Sequence, residues 1–456
     1  MSQANIHDSA RPVYPPGFRL RRGWNWGWLG LLYTNFYMCR YNLSLANPEI
    51  SREFGFSREQ IGQVISAALL AYAFGQIING VLADRLGGKR AMLIGAAGTV
   101  VMNLCFGAAS FLGILGLFVA IRALDGYLQS FGAPGMVKIN TAWFARRERG
   151  RFSGIFGFMI NLGRFGIFTL GPALLAGFSL WGLVQVPPLH WRWLFWVPSI
   201  LCALVAVAAA IWVKETPEQA GFPGVISDTS LVTRDSGSPK VQDSVRAGFR
   251  EVLLTIASKP VVWITALAYA CTGAVRQAVD QWFPRYMQDL YHVDLRSAEF
   301  QFLAFLIPFM ASTGSLLAGY LSDTVFKGRR APVAAILYFT ETAIILLAAQ
   351  FDGVKAAIVF LVLISFTANS THSILGSAAP MDIGGRRMSG FALGLINSFQ
   401  YFGGSLAGMV LGRLLDQDLG NYFYFMAPFG FLGGLLMLVA RGKFSHEQPA
   451  AGAPRS

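Results

Sequence analysis

Apolar stretches of about 20 residues, each long enough to cross the hydrocarbon core of a bilayer as a helix, recur along the whole chain. They fall at 25–46, 60–83, 91–111, 114–142, 152–178, 192–213, 260–287, 298–322, 331–350, 354–376, 388–413 and 420–440. Short polar turns separate most of them. One long polar break at 214–258, rich in Ser, Asp, Lys and Pro, divides six spans from six. The pattern predicts an all-α membrane protein of twelve transmembrane helices. Its expected organisation is an N-terminal tail (1–24), a six-helix bundle (25–213), a linker (214–258), a second six-helix bundle (259–441) and a C-terminal tail (442–456). The first 24 residues have neither an apolar core nor a small-residue cleavage site, so the first span is expected to be retained.

The two halves repeat. Gly80-Val-Leu-Ala-Asp84 recurs as Gly319-Tyr-Leu-Ser-Asp323 at an offset of 239, and Ser153-Gly154…Ile160-Asn161 recurs as Ser389-Gly390…Ile396-Asn397 at an offset of 236. Arg40 in span 1 and Arg276 in span 7 are also 236 apart. Landmarks at nearly one offset imply two pseudo-symmetric bundles, an arrangement that puts a ligand site between the halves near mid-membrane.

Composition agrees with a lipid solvent. Charged residues make up 13% of the chain and the mean hydropathy is +0.48, against about 25% charged in soluble domains. The net charge of +13 does not indicate nucleic acid, because the basic residues sit in short clusters between spans. With the N-terminus in the cytoplasm, about 25 of the 37 Lys and Arg fall on the inner side and about 6 on the outer. Both termini are then cytoplasmic. The four cysteines lie in apolar segments and read as packing residues. There is no G-x-x-x-x-G-K-[ST] phosphate loop and no H-E-x-x-H, and the five histidines are scattered without ligand spacing. Neither ATP hydrolysis nor a metal centre is expected, and His372 in span 10 reads as structural.

The chemistry lies in the charges that remain inside the spans. An Arg at a bilayer centre costs roughly 2.5–3.5 kcal/mol on insertion scales and persists where it meets a cavity or a partner. The in-span cations include Arg40, Arg122, Lys138, Arg164, Arg276 and Arg413. Arg276 has Asp280 one turn on and Arg122 has Asp125 three residues on, so structural pairing is the alternative for both. Arg40 has no acidic residue within a turn of its own helix. Tyr33, Tyr37 and Arg40 form one stripe of span 1, and Tyr72 and Gln76 a polar pair on span 2. Two guanidiniums, one per bundle, would grip an anion bidentately. Gly404, Gly408 and Gly412 at four-residue spacing predict close helix packing.

The segment Gly80-Val-Leu-Ala-Asp84-Arg85-Leu-Gly-Gly-Lys89-Arg90 resembles the signature loop between helices 2 and 3 of the major facilitator superfamily. Within it, Phe36-Tyr37-Met-Cys-Arg40-Tyr-Asn42…Pro48 is similar to helix 1 of the organophosphate:phosphate antiporter family. Arg276…Trp282-Phe-Pro284-Arg-Tyr286 is similar to that family's helix 7, and Tyr401-Phe-Gly403-Gly404-Ser405 to its helix 11. The resemblance implies the major facilitator fold and a transporter, not an enzyme, in a bacterial inner membrane. It implies exchange of an organic phosphate ester for inorganic phosphate by alternating access, as in glycerol-3-phosphate and hexose-phosphate exchangers. No cofactor and no nucleic-acid partner is implied, and the carrier is expected to act as a monomer in the lipid bilayer.

By that resemblance Arg40 and Arg276 bind the phosphate, with Tyr37, Tyr72, Gln76, Asn161, Arg164, Asn397 and Tyr401 as further substrate-binding candidates. An empty carrier would hold two unpaired cations face to face. Tyr41, Gln76 and Ile160 stand where glycerol-phosphate exchangers carry Lys, Lys and His; Arg164 is an added cation, so the substrate is not expected to be glycerol 3-phosphate itself. The loop residues Asp84, Arg85 and Arg90, with the weaker copy Asp323, are gating candidates, Asp84 pairing with Arg85, Lys89, Arg146 or Arg147. An ordinary charged loop obeying the topology rule is the alternative. Two other readings stay open. One is a proton- or sodium-coupled carboxylate symporter using Asp280 as the coupling carboxylate; the other is a transporter-like sugar-phosphate sensor.

Overall fold

Every apolar span is helical in the computed structural model, which describes residues 14–144, 149–180, 182, 184–223, 225, 258–326 and 329–441. Side chains are described for these except 149–156, 180, 323 and 377–393. The first half runs through α1 (Phe18–Phe54), α2 (Arg58–Leu86), α3 (Gly88–Ala109), α4 (Leu115–Gln129), α5 (Gly132–Trp143), α6 (Arg149–Ala176) and α7 (Trp193–Trp212). The second runs through α8 (Pro260–Tyr291), α9 (Ala298–Thr324), α10 (Arg330–Ala348), α11 (Val354–Ser373), α12 (Ala379–Gln417) and α13 (Asn421–Ala440). The span 114–142 divides into α4 and α5 at Ser130–Phe131. A short antiparallel hairpin, β1 (Phe178–Leu180) with β2 (Val184–Val186), joins α6 to α7 and marks one end of the molecule. Of the four cysteines, only Cys105, on α3, is exposed.

Helix ends follow local chemistry. Gly55 leaves α1 in the left-handed region at φ 67. Ser57 and Gln60 then form a reciprocal capping box on α2. Helices α1 and α12 outrun their apolar spans at both ends, because hydropathy marks only the hydrocarbon slab while the helical hydrogen bonds continue through the polar boundary.

Eight described helices are individually long and apolar enough to cross a membrane. The spans short of that measure are α1, α4–α5, α8 and α12. The first three carry the buried Arg40, Arg122 and Arg276, and α12 carries the buried Ser398, Gln400 and Ser405. Polarity is thus concentrated in helices that their neighbours shield from lipid.

In the first bundle α1 packs on α6 and α7, α2 on α4, and α3 on α4, α5 and α7. In the second, α8 packs on α12 and α13, α9 on α11, and α10 on α11 and α13. The bundles meet along two seams, α2 with α12 and α6 with α9, and α1 lies beside α8 between them. Under the sequence repeat α2 corresponds to α9 and α6 to α12, so each seam is the image of the other. The α2–α12 seam is glycine-lined: a Cβ on Gly62 would strike the Gly408 carbonyl, and one on Gly412 the Arg58 carbonyl. Gly404 instead faces Gln277 of α8. Small residues let these backbones touch.

Candidate functional site

Arg40 is 6% exposed and sits at the centre of α1, where helices from both bundles surround it. Its Nε donates to Gln129 Oε1 at 3.0 Å and its Nη1 to Tyr401 Oη at 3.0 Å, while Nη2 is buried without a hydrogen-bond partner among the described residues. The rings of Tyr37 and Tyr72 lie 4.6 and 4.3 Å from the guanidinium carbon. Tyr72 also meets Tyr401 across the seam, with centroids 4.2 Å apart. Aromatic faces hold a cation in place without neutralising it. Behind the guanidinium, Gln129 donates to Asp125, which pairs with Arg122 at 2.8 Å. Arg122 donates onward to the carbonyls of Cys39 and Arg40. Arg122 is therefore bound to its own carboxylate and to the backbone of α1, a bracing arrangement that leaves Arg40 as the cation free of an acid.

Arg276 is 2% exposed on α8. Its Nε donates to Asn369 Oδ1 at 3.1 Å and lies 3.8 Å from Asp280 Oδ2, and its terminal nitrogens make no hydrogen bond among the described residues. Tyr37 and Tyr401, which hold Arg40, are also close enough to Arg276 to interact with it electrostatically. Asp280 makes its short ion pair with Arg164 of α6, from the opposite bundle, and Arg164 is oriented by Asn161 at 3.1 Å. The expectation of two cations without any acid between them needs correction on this point. Packing α6 against α8 brings a carboxylate between Arg164 and Arg276, and a buried carboxylate survives only when paired. Three guanidiniums, Arg40, Arg164 and Arg276, then stand against one carboxylate, leaving two net positive charges.

Gln76 is buried one turn from Tyr72, and Asn397 is half-buried; among the described residues neither hydrogen-bonds a guanidinium. Residues that sequence reasoning passed over complete the site: Gln129, Asn369, and Gln281 of α8, which lines a cleft with Arg40, Tyr72 and Tyr401.

The gating candidates need a second correction. Asp84 is met not by Arg85 or Lys89 but by Lys138 of α5, whose Nζ lies 3.8 Å from its carboxylate and donates to its carbonyl at 2.6 Å. Lys89 instead donates to the Ala210 carbonyl, and Glu215 accepts from the Gly88 amide at 2.7 Å. The lysine of α5 points back along its helix to the end of α2, whereas loop cations extend toward solvent. Arg85 and Arg90 are exposed and form no ion pair among the described residues. Arg146, Arg147 and the Asp323 side chain lie outside the described residues. The Asp84 loop is thus fastened within its own bundle.

The contacts that fasten one bundle to the other lie at the hairpin end. Asp416 of α12 accepts the amides of Arg58 and Glu59 at 2.9 and 2.8 Å, capping α2 from the opposite bundle. Asp289 of α8 binds Arg58 at 2.8 Å and Arg285 at 3.0 Å, and Arg285 reaches Asn47 and Ser51 of α1 at 2.5 and 2.7 Å. Cross-bundle hydrogen bonds and ion pairs among the described residues all lie at or beyond the Arg40–Arg276 level toward this end. Replacing Asp416 with Ala removes a cap worth about 1 kcal/mol, shifting the equilibrium about fivefold toward separation of this end. The labelling rate of a Ser66→Cys variant by an impermeant thiol reagent should rise accordingly; an unchanged rate would deny these contacts any latching role.

Comparison with known proteins adds the following. A family model described as the Major Facilitator Superfamily matches residues 29–408. A probable hexose phosphate transport protein of Chlamydia trachomatis is 26% identical over 408 residues, covering 87% of this chain and 85% of that protein. The membrane sensor protein UhpC of Escherichia coli is 27% identical over 421 residues, covering 90% of each. The glycerol-3-phosphate transporter of Bacillus subtilis is 25% identical over 417 residues, covering 90% of this chain and 87% of that protein. Among solved structures, a D-xylose-proton symporter superposes with a TM-score of 0.70 at 13% identity, covering 91% of this chain and 96% of that one.

Proposed function

This chain belongs to the Major Facilitator Superfamily, and on that footing we propose that it exchanges an organic phosphate ester for inorganic phosphate, the dianion being gripped between Arg40 and Arg276. The fold is that of a multi-pass membrane carrier, and the relatives and fold neighbours reported above are transporters and a membrane sensor, not enzymes. The observation that carries the proposal is the charge count between the bundles. Two net positive charges match a phosphate dianion, and the donors without acceptors include Arg40 Nη2 and the terminal nitrogens of Arg276, guanidinium groups whose planar forks suit phosphate oxygens. The hexose phosphate and glycerol-3-phosphate transporters among the relatives support the same substrate class.

With Asp84 and both termini in the cytoplasm of a bacterial cell, the orientation that the Lys and Arg bias supports, the latched hairpin end faces outward. A dianion bound at the site neutralises the excess charge and draws the arginine-bearing helices together, which closes the inner side and lets the outer contacts part. The empty carrier retains two net charges that repel across the seam, so it changes state slowly. Asp280, the coupling carboxylate of the symporter reading, is instead engaged by Arg164 of the opposite bundle. The expected result in proteoliposomes loaded with labelled phosphate is efflux at least about tenfold faster when phosphate or an ester is present outside. Equal efflux into anion-free buffer would overturn exchange. The sensor relative favours a second reading, a receptor using the same anion site, for which neither condition would give efflux.

A further inference from the structure

Helices α8 and α11 face each other with polar residues at successive levels. At the first, Arg276 donates to Asn369. Seven residues earlier on α8 and three later on α11, toward the Asp84 end, Tyr269 Oη lies 2.6 Å from His372 Nδ1. Their rings are stacked, centroids 5.5 Å apart and planes 28° from parallel. Between the levels, the hydroxyls of Thr272 and Thr371 approach to 3.5 Å.

The lower level is shaped around this pair. Gly376 lies so close to Tyr269 Oη that a Cβ there would collide with it. Directly after α11 the chain widens into a π-helical turn at Ile374–Ala378, a distortion that recurs at functional sites. Tyr269 is fully buried, whereas His372 is half-buried. His372 is close enough to both Arg276 and Arg164 to interact with them electrostatically, and Tyr269 to Tyr37. Arg164 and Tyr37 belong to the first bundle, so the Tyr269–His372 pair lies on the side of α8 and α11 turned toward that bundle. Tyr269 fixes the ring through Nδ1 and leaves Nε2 for another partner.

We propose that Tyr269 and His372 form a second polar subsite, hydrogen-bonding the oxygen-rich organic tail of the phosphate ester whose phosphate lies on Arg40 and Arg276. The proposal rests on the phosphate-ester reading and deepens it. Seven residues of α8 rise about 10 Å and three residues of α11 about 4.5 Å. That interval suits a hydroxylated chain of roughly three to six carbons. Inorganic phosphate has no tail and ends at the upper level, so the lower level distinguishes the two exchanged anions and favours esters with oxygen at the far end.

The test uses the full chain in proteoliposomes, with inorganic phosphate, glycerol 3-phosphate and glucose 6-phosphate as external probes against internal phosphate. The readout is the ratio of KM for each ester to KM for phosphate. In Tyr269→Phe, which loses only the hydroxyl, and in His372→Ala this ratio should rise about five- to tenfold for at least one ester, the loss expected for one hydrogen bond. His372→Gln, whose amide can stand near Nε2, should recover part of it. A ratio within about twofold of wild type in both variants, whether the two KM values move together or not at all, would overturn the subsite. Wild-type vesicles that exchange neither phosphate nor any ester would overturn the phosphate reading beneath it, and the subsite with it.

Discussion

Phosphate exchange falls by two orders of magnitude, ~100-fold or more, when Arg276 is replaced by lysine. Lysine keeps the positive charge, so the net charge of the site and the long-range attraction for a dianion are unchanged. What disappears is the fork. Arg276 uses Nε to hold Asn369 and keeps both terminal nitrogens for the ligand, whereas a lysine ammonium is a single, strongly hydrated point on a shorter reach. Arg40→Lys should be as damaging, because it breaks the bonds to Gln129 and Tyr401 together and weakens the stacking on Tyr37 and Tyr72. Initial exchange rates in reconstituted vesicles provide the check, alongside elution profiles in detergent to establish that each variant is folded. A lysine variant with KM and rate within about threefold of wild type would mean that charge alone suffices, and the bidentate grip would have to be abandoned.

The second large effect is expected on stability. Asp280→Asn leaves Arg164 and Arg276 without their shared counter-ion in a buried region between the bundles. Breaking a buried ion pair from one side costs about 3–5 kcal/mol, or a fall of about 5–10 °C in the melting temperature of the purified carrier. The sign of the phosphate response is the informative part. In the variant the bound dianion supplies the missing negative charge, so saturating phosphate should raise the melting temperature more in Asp280→Asn than in wild type. The same variant should release its ligand more slowly and exchange less. An equal phosphate-induced rise in the two proteins would show that Asp280 does not share the anion's electrostatic field.

The membrane fold was legible because a bilayer imposes a length on apolar segments and a sign on the loops, and both are one-dimensional signals. The equivalent positions of Arg40 and Arg276 in the two halves were legible for a similar reason: duplication leaves an offset that can be read without coordinates. Partnerships across the interface were not. Asp280 reads as the i+4 neighbour of Arg276, and the shorter pair with Arg164 exists only because α6 lies against α8. Lys138 reads as an isolated in-span cation until α5 returns to the end of α2 and brings it to Asp84. Asn369 and Gln129 are neutral and carry no distinguishing pattern, though they aim both arginines.

The hairpin-end contacts did leave a trace in the sequence. Arg58 and Arg285 are among the few basic residues on the side where Lys and Arg are scarce, and both are held by Asp289. Treating such exceptions as residues in need of a partner would have found the latch. Asp84, Arg85 and Arg90 drew attention as a family signature, yet the described contacts of that loop stay inside one bundle.

The most direct measurement is a cryo-microscopy structure of the carrier with a phosphate ester bound. The predicted result is a phosphate in hydrogen-bond contact with Arg40 from α1 and Arg276 from α8 together, in the space shared by Tyr37 and Tyr401. An ester seated elsewhere, or contacting the arginine of only one bundle while the other stays turned away, would contradict the account.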